Sequence, residues 1–363
     1  MAGVYISYPV CSQKCTYCNF ASGVFPRIEA DYMYELRREI EHHAWQWAPE
    51  TVYLGGGTPS LIPGEALTNL LEAIPGKPWR EATIEAAPGT ISAELAGFWH
   101  RAGVNRVSLG VQSFVPAELA RTGRKHRAET VAADVRTLDS EGIVNVNIDL
   151  IAGLPGQTHD GWCESLDWVA HLEPTHVSIY MLEVDEDSRL GREMLLGGVR
   201  YGARDVPQED LIVEFYESGV EFLAGLGLQR YEISNFARPG FESLHNLKYW
   251  RLEPYVGFGS DAHSYDGRTR YRNVETAAEY IERGRRGESL CAEISSADRI
   301  QERFFVGLRL REGIRPDAEE WRRFGEPIRR FLDEGLLASG DGSLRLTDRG
   351  ILFSNEVFQE FVA

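Results

Sequence analysis

Short apolar runs recur along the first half of the chain, separated by longer mixed stretches. Each run is rich in Val, Ile, Tyr or Leu and ends near Gly or Pro, which is typical of buried parallel strands. The stretches between them show helical periodicity, as in the predicted helix Asp31–Trp47, and Ser92 and Thr158 are suited to be helix N-caps. The six predicted strands are Val4–Ser7, Thr51–Leu54, Thr83–Ala86, Arg106–Gly110, Val144–Ile151 and His176–Leu182.

This alternation predicts an α/β fold, an incomplete (β/α)6 barrel rather than a full eight-stranded one. An open doubly wound sheet is the alternative. A further helix is predicted over Gln208–Leu226, followed by an irregular, aromatic-rich stretch from Tyr231 to Asn273. Near the C-terminus, "LLASGDGSLRLTDRG" has the pattern of a hairpin among helices, which resembles a winged helix. We expect a partial barrel over residues 1–225, a connecting region over 226–295 and an α+β winged-helix-like domain over 296–363.

Composition narrows the class of protein only in part. The 363 residues are enough for a large core plus a smaller domain, and 43% hydrophobic with 26% charged residues is ordinary for a globular protein. No apolar stretch has the length of a membrane span, and the N-terminus does not resemble a signal peptide. Five cysteines, mostly clustered, favour a reducing cytoplasm over a disulfide framework. The net charge of −17 argues against broad binding to nucleic acid.

Three cysteines, Cys11, Cys15 and Cys18, form a C-x3-C-x2-C pattern directly after the first predicted strand. That position is a loop at the C-terminal edge of the strand, the edge that carries the chemistry in α/β barrels. Three thiolates can bind three irons of a four-iron cluster and leave the fourth iron without a protein ligand. Two alternatives are three buried, inert thiols and a zinc site completed by His42 or His43.

Polar or flexible residues also follow the later predicted strands. After the second strand, "LGGGTPS" places glycines where backbone can approach a ligand closely, with the hydroxyl of Thr58 beside them. Asp149 could accept hydroxyl donors and Arg124 could hold a carboxylate, although Arg124 also fits a solvated basic run. Each residue alone could serve a structural hydrogen bond, but strand ends on one face of a barrel predict a shared pocket. The residues in this series are Gly55, Gly56, Gly57, Thr58, Glu85, Gln112, Ser113, Arg124 and Asp149.

The cysteine spacing, with the aromatic Tyr17 before the third cysteine, resembles the defining motif of the radical S-adenosylmethionine superfamily. The resemblance implies a radical-SAM barrel in which the three cysteines hold a [4Fe-4S] cluster. Its open iron would bind the amino and carboxylate groups of S-adenosylmethionine, and one electron would cleave the sulfonium to methionine and a 5′-deoxyadenosyl radical. The residues expected to contact S-adenosylmethionine are Tyr5, Tyr17, Gly56, Gly57, Thr58, Glu85, Gln112, Arg124 and Asp149.

Longer motifs, among them "RVSLGVQSF" and "NVNIDLIAGLPGQT", resemble the oxygen-independent coproporphyrinogen III oxidase group over nearly the whole chain. The true oxidases carry another cysteine two residues past the third, where this chain has Phe20. The HemW-type heme-chaperone branch instead carries an H-N-x-x-Y-W motif, which implies that this chain binds heme and passes it on. The heme candidates are His245, Asn246, Tyr249 and Trp250 of that motif, with His263 as a second histidine. Histidine can ligate heme iron and aromatic rings can stack on a porphyrin, but the motif could equally join the C-terminal domain to the barrel.

Some positions depart from the family pattern, among them Ser7, Ala87 and Ser260–Asp261, and they leave details of the heme pocket open. The expected partners are heme and an apo-hemoprotein acceptor, such as a respiratory enzyme, with peripheral membrane contact through that acceptor and a homodimer as further options. No nucleic-acid partner is expected. The main alternative function is oxidative decarboxylation of coproporphyrinogen III to protoporphyrinogen IX. A radical enzyme acting on RNA is a more distant one, which the net charge of −17 disfavours.

Overall fold

The structure is a computed structural model that describes residues 2–25 and 27–362. Its strands are β1 Ala2–Tyr8, β2 Pro49–Gly56, β3 Glu81–Ala86, β4 Arg106–Gln112, β5 Asn145–Ala152, β6 His176–Met181, β7 Gln229–Arg230, β8 Asn235–Ala237, β9 Tyr255–Phe258, β10 His263–Tyr265, β11 Thr269–Asn273, β12 Cys291–Ser296, β13 Leu337–Gly340 and β14 Ser343–Leu346. Its α-helices are α1 Glu29–His42, α2 Gly64–Glu72, α3 Ala93–Ala102, α4 Pro116–Thr122, α5 Ala128–Ser140, α6 His159–Leu172, α7 Arg189–Leu195, α8 Glu209–Gly225, α9 Leu244–Trp250, α10 Ala277–Arg286, α11 Arg299–Gly307, α12 Ala318–Asp333, α13 Asp348–Leu352 and α14 Ser354–Gln359.

The six predicted strands are confirmed as β1 to β6, which pair in parallel and in chain order. The barrel is incomplete because β1 and β6 do not meet: β1 pairs in parallel with β9, and β6 pairs antiparallel with β8. The whole sheet has 12 strands in the order β12-β11-β10-β9-β1-β2-β3-β4-β5-β6-β8-β7. The fold class expected from the sequence is therefore confirmed.

The stretch from Tyr231 to Asn273 is not irregular, and that prediction was wrong. It contains α9 and the strands β8 to β11, which extend the sheet beyond β6 on one side and beyond β1 on the other. The longest of these strands, β11, has five residues. Strands this short do not show enough alternation to be recognised by periodicity.

The two faces of the parallel strands differ in polarity. On one face Ile6, Leu54 and Ile84 belong to a continuous hydrophobic core with the surrounding helices. On the other face, each strand presents polar or aromatic side chains at alternate positions, and strand pairing places them side by side. This second set includes Tyr5, Thr51, Tyr53, Glu81, Thr83, Glu85, Arg106, Ser108, Asn147, Asp149, His176 and Ser178. The enclosed face of the partial barrel is therefore polar.

Helix α1 is shorter than predicted, because it ends at His42 and His43 is in an extended conformation. Ser92 and Thr158 are N-caps as expected, accepting hydrogen bonds from the backbone N–H groups of Leu95 and Gly161. Among the described residues, none of the helices combines the length and hydropathy that a membrane span requires.

The C-terminal part carries the predicted hairpin, in which β13 pairs antiparallel with β14. The hairpin is held to the rest of the chain by two backbone hydrogen bonds between Ile314 and Leu344, at 2.9 and 2.7 Å. Phe304, Phe324 and Phe361 pack their rings together, so α11, α12 and the C-terminal segment share a core. Helices around an antiparallel hairpin give the expected winged-helix-like arrangement.

Candidate functional site

The three-cysteine segment, residues 11 to 18, follows the C-terminal end of β1. At its start the N–H of Cys11 donates to Gly23 O (2.8 Å), and the N–H of Gly23 donates to Pro9 O (2.9 Å), so the loop returns to its own base. Cys11 is buried, whereas Cys15 and Cys18 are partly exposed. The backbone therefore fixes the loop where it leaves the barrel while two thiols keep access to solvent.

Gly57 and Thr58 pin the cysteine loop to the end of β2. The N–H of Gly57 donates to Tyr8 O (2.6 Å) and the N–H of Thr58 donates to Val10 O (2.9 Å). A Cβ atom on Gly57 would lie 2.6 Å from Val10 O, which no real side chain tolerates. The close approach that this glycine permits is thus between two backbone segments of the protein, one of which leads directly into Cys11.

We predict that Gly57→Ala displaces the cysteine loop, because its Cβ meets backbone atoms that cannot rotate away. The expected loss of stability is about 2–4 kcal/mol, with a lower iron content after anaerobic reconstitution. Gly225→Ala is the matched control, since a Cβ there meets nothing within 4 Å. Urea unfolding and iron analysis of both variants make the comparison, and equal behaviour of the two would contradict the prediction.

The outer side of the loop is held by the segment around α7 and by the end of α4. The N–H of Thr16 donates to Thr122 O (3.2 Å), and the N–H of Leu190 donates to Thr16 O (2.8 Å). The side chain of Asn19 donates to Asp185 (2.5 Å), which lies before α7. The middle of the cysteine loop is consequently fixed by elements that come from the other side of the barrel.

Tyr17 and Arg124 form a partly buried, hydrogen-bonded pair beside the cysteines. The Arg124 guanidinium donates to the Tyr17 hydroxyl (3.3 Å) and to Gly110 O (2.6 Å) at the end of β4. Burial lowers the pKa of Arg124, but neighbouring Tyr17, Cys15 and Asp149 raise it further, so the guanidinium stays charged. Arg124 is therefore a fixed positive charge near the cysteines and is not part of a solvated basic run.

Gln112 ends β4 in a left-handed backbone conformation (φ 72°), and its side chain is buried. Close to it, His126 has an Nε2 atom that is buried without a hydrogen-bond partner among the described residues. Burial, together with the charge of Arg124, lowers the pKa of His126 to about 4, so the ring is neutral at pH 7. His126 was not predicted as a site residue, because its position after the basic residues 124 and 125 gave no sign that its ring nitrogen would be buried.

Tyr5, Tyr53 and Glu85 lie together on the polar face. The rings of Tyr5 and Tyr53 stack with centroids 6.2 Å apart, and the Tyr53 hydroxyl donates to Glu85 (2.9 Å). Burial raises the pKa of Glu85 to about 7, against the opposing effect of the Tyr53 hydrogen bond. Near neutral pH this carboxyl group can therefore be neutral or charged, and a cationic ligand would favour the charged form.

Asp149 lies within a network of polar side chains on β4, β5 and β6. Its two oxygens accept hydrogen bonds from Asn147 (2.7 Å) and Ser108 (3.2 Å), and Ser178 is a further donor. Burial raises the pKa of Asp149 despite these bonds. Carboxylate oxygens can each accept more than one hydrogen bond, so the network orients Asp149 without using all of its acceptor capacity.

The residues around the three cysteines suit a [4Fe-4S] cluster with S-adenosylmethionine. Within residues 2–25 and 27–362, no three His, Cys, Asp or Glu side chains are grouped to hold one metal ion. A four-iron cluster does not need that grouping, because each thiolate binds a different iron. Arg124, which donates to Tyr17 within the cysteine loop, suits the carboxylate of such a ligand, and the unpartnered Nε2 of His126 is a further polar atom close to Gln112.

His42 and His43, the ligands considered for zinc, do not sit mid-helix as predicted, because His42 is the last residue of α1. Together with Glu39 and Cys291 they line a cavity of about 430 Å³, and Cys11, Cys15 and Cys18 are not among its lining residues. The ring of His43 packs edge-on against Phe258 of β9.

The H-N-x-x-Y-W motif lies on α9, at the N-terminal ends of the barrel strands. The α9 N-terminus is capped by the Glu81 carboxylate, the first residue of β3, which accepts from the N–H groups of Leu244 (2.8 Å) and His245 (2.9 Å). His245 also bonds to Thr51, near the start of β2, whereas the cysteine loop meets the end of β2 at Gly57. Along an extended strand, the distance from Thr51 to Gly57 corresponds to about 20 Å. The candidate heme motif and the cysteine loop are therefore at opposite ends of the barrel.

His245 is fully buried, and both of its ring nitrogens have partners. Nδ1 bonds to the Thr51 hydroxyl (2.9 Å) and Nε2 to the Tyr249 hydroxyl (2.8 Å), while the ring stacks on Tyr53 at 5.3 Å. Burial lowers the pKa of His245 to about 3, with nearby Lys248 acting in the same direction. The ring is thus a neutral part of the barrel floor with no free nitrogen.

The other heme candidates are more accessible. Asn246, Tyr249 and Trp250 are partly exposed, and the Trp250 ring lies under the guanidinium of Arg309 at 4.5 Å. His263, on β10, is exposed and has charged neighbours in Asp261 and Arg272. Tyr249 contacts His245 directly, and its ring lies next to that of Trp250. His263 is not part of this group, because it lies on the strands that extend the sheet beyond β9.

Arg106 is a buried residue that the sequence analysis did not single out. Its side chain belongs to the polar face, it is 2% exposed, and its Nε has no hydrogen-bond partner among the described residues. Its charge lowers the pKa values of the neighbouring carboxyl groups of Glu85 and Asp149, although burial raises both more strongly. The alternation of Arg106, Ser108 and Gly110 along β4 is the signal that could have identified it.

Comparison with known sequences and structures agrees with this geometry. The sequence model of the Radical SAM superfamily matches residues 5–169, and that of the HemN C-terminal domain matches residues 294–353. The solved structure of coproporphyrinogen III oxidase (HemN) from Escherichia coli superposes with a TM-score of 0.83 at 20% identity, covering 99% of this chain and 89% of that one. Fold and site thus define a protein of the radical S-adenosylmethionine class.

Full-length relatives narrow the class to one family. Heme chaperone HemW of Lactococcus lactis is 33% identical, covering 99% of this chain and 96% of the relative. The heme chaperones HemW of Bacillus subtilis and Escherichia coli are 33% and 32% identical, and each covers at least 98% of both chains. The chain belongs to the HemW heme chaperone family.

Proposed function

We propose that this protein binds heme and delivers it to apo-hemoproteins, and that Cys11, Cys15 and Cys18 hold a [4Fe-4S] cluster with S-adenosylmethionine beside it. The observation that carries the proposal is the position of the three-cysteine loop. It leaves the end of β1 and is pinned to the end of β2, where the polar face of the barrel ends. Membership of the HemW family supports the heme function.

For S-adenosylmethionine, the proposal assigns roles by charge and position. Arg124 is a permanently charged partner for the carboxylate, while Glu85 and Asp149 are acceptors for the amino group and the ribose hydroxyls. Gly56, Gly57 and Thr58 shape the turn beside the cysteines, and Tyr5, Tyr17 and Gln112 complete the walls. When bound, the cluster would supply the electron for reductive cleavage of the sulfonium.

For heme, we assign different roles to His245 and His263. Iron ligation by His245 would require breaking one of its two buried hydrogen bonds, so we assign it to support of α9. His263 is exposed and is the histidine that heme iron can reach without such a rearrangement. Asn246, Tyr249 and Trp250 remain candidates for contact with the porphyrin. We therefore propose residues 226–295 as the heme-associated region, between the partial barrel of 1–225, whose sheet it extends, and the C-terminal domain of 296–363.

The partners follow from this function. The acceptor would be an apo-hemoprotein, such as a respiratory enzyme, and peripheral membrane contact would be made through it. We propose that the protein acts in the cytoplasm, where its cysteines stay reduced, and that it has the option of forming a homodimer.

Anaerobic reconstitution followed by heme titration tests the proposal. Iron and sulfide should each reach about four per chain, and heme should form a stable complex with a shifted Soret band. Transfer is then measured by incubating the heme complex with an apo-hemoprotein and recording its holo spectrum. Reconstituted protein that gives no Soret shift would refute the heme function while leaving the cluster assignment intact.

The alternative function, oxidative decarboxylation of coproporphyrinogen III, has less support. The likeness to the Escherichia coli oxidase is at 20% identity and shows the fold alone. The position of the further oxidase cysteine is Phe20, which is 66% exposed. Complementation of a strain that lacks the oxidase separates the two functions, and growth of the complemented strain would favour the enzyme.

A further inference from the structure

An arginine-rich cavity of about 240 Å³ lies between the edge of the sheet and the C-terminal hairpin. Its walls come from the end of β7 and the residues after it, the segment after α11, and the hairpin with the start of α13. The charged side chains that line it are Arg230, Glu232, Arg309, Arg311, Arg345 and Asp348. Four guanidinium groups against two carboxylates leave an excess of positive charge, in a protein whose net charge is −17.

Arg230 is the buried element of this cavity. It is 8% exposed, and one of its terminal nitrogens contacts the carboxylate of Asp348. Its Nε is buried and has no hydrogen-bond partner among the described residues. A buried donor without a partner costs free energy, and an acceptor oxygen entering the cavity would remove that cost.

Arg309 is incompletely paired in the same cavity. Its Nε lies 3.7 Å from Glu232 Oε2, close enough for attraction but too far for a hydrogen bond, and both atoms are buried without a hydrogen-bond partner in the described part of the chain. The other oxygen of Glu232 accepts from the N–H of Ser234 (2.8 Å) and the side chain of Asn235 (2.5 Å). Glu232 is thereby fixed, and the guanidinium of Arg309 retains donors for a ligand.

Two further arginines complete the site from the solvent side. Arg311 and Arg345 are exposed, and neither side chain makes a hydrogen bond or ion pair with the described residues. Guanidinium groups bind carboxylate and phosphate oxygens in bidentate geometry, which suits a doubly charged oxyanion.

We propose that this cavity is a binding site for the oxyanion groups of a small ligand, and that the propionates of heme are their source. The source rests on the proposed heme function, whereas the site itself does not. The volume is below that usual for a whole cofactor, so it would take the carboxylates while the macrocycle stays outside. Arg309 connects the cavity to the candidate heme motif, because its guanidinium stacks over the ring of Trp250.

The experiment uses the full-length reconstituted protein and the double variant Arg311→Gln/Arg345→Gln, which removes two unpaired exposed charges. Arg329→Gln is the control for charge, since Arg329 is exposed on α12 and does not line the cavity. Heme, heme dimethyl ester and inorganic phosphate are titrated in turn, by Soret absorbance for the hemes and by calorimetry for phosphate. Circular dichroism checks that each variant is folded.

The double variant should bind heme roughly ten-fold or more weakly than wild type, since two charge-assisted contacts are lost. Heme dimethyl ester should be unaffected, and Arg329→Gln should match wild type with every probe. Phosphate binding that weakens in the double variant while heme affinity is unchanged would keep the oxyanion site and overturn heme as its source. Unchanged affinity for both heme and phosphate would overturn the site, and because the phosphate titration does not require heme binding, its result stands even if the proposed function fails.

Discussion

Replacing any one of Cys11, Cys15 and Cys18 by serine should abolish the iron–sulfur cluster. A four-iron cluster with three protein thiolates has no spare ligand, and the serine hydroxyl is a poor substitute for a thiolate. Iron and sulfide should therefore fall from about four per chain toward zero after anaerobic reconstitution. The fold should persist, because Cys15 and Cys18 are partly exposed and the loop is held by backbone hydrogen bonds.

Cys163→Ser is the matched control for this prediction. Cys163 is exposed on α6, where its sulfur lies 3.6 Å from the ring of His159. It is therefore not part of the three-cysteine loop that follows β1. Iron and sulfide analysis, with electron paramagnetic resonance of the reduced protein, should give wild-type values for this variant. A loop variant that retains a full complement of iron would contradict the assignment of its cysteine.

The sequence predicted the parallel half of the sheet because its strands are long and bounded by turn residues. Strands β1 to β6 have six to eight residues each, so their composition is informative. The additional strands have two to six residues and depend on pairing with distant partners. An example is β9, whose position next to β1 is set by the barrel edge rather than by its own four residues.

The polar face shows how a signal present in the sequence was overlooked. The strands were interpreted as continuous apolar runs, yet "RVSLGVQ" and "HVSIYM" alternate between polar and apolar residues. Such alternation normally marks a strand with one solvent-exposed face, whereas here the polar face is enclosed. Arg106 and His176 could therefore have been predicted as members of one internal layer, but not as buried ones.

The role of His245 in the H-N-x-x-Y-W motif could not be predicted from the sequence alone. Residue chemistry made His245 a candidate iron ligand, and only the packing of α9 against β2 shows that both ring nitrogens are engaged. That contact joins residues 194 positions apart. The cysteine motif was easier because its three members lie within one loop, where spacing in the sequence largely determines spacing in the fold.

His245→Ala should destabilise the protein by about 3–5 kcal/mol, since it leaves a cavity and two hydroxyl groups, of Thr51 and Tyr249, without their buried partner. Tyr249→Phe removes one of the same hydrogen bonds with little change of shape and should cost about 1–3 kcal/mol. His263→Ala, at an exposed position, should leave stability within about 0.5 kcal/mol of wild type but alter the spectrum of bound heme. Urea unfolding and heme titration of the three variants give the comparison.

The pH dependence of stability tests whether His245 has a structural role or is a ligand of heme iron. Its pKa is about 3 in the folded protein against an ordinary value of 6.5, so the unfolded chain binds the proton more readily. As the pH falls below 6.5, this residue therefore makes unfolding more favourable, and His245→Ala should lose stability less steeply than wild type over that range. The raised pKa values of Glu39 and Glu85 act in the opposite direction, but they are present in both proteins and drop out of the difference. Parallel stability curves, with a heme spectrum changed in His245→Ala and unchanged in His263→Ala, would make His245 the iron ligand instead.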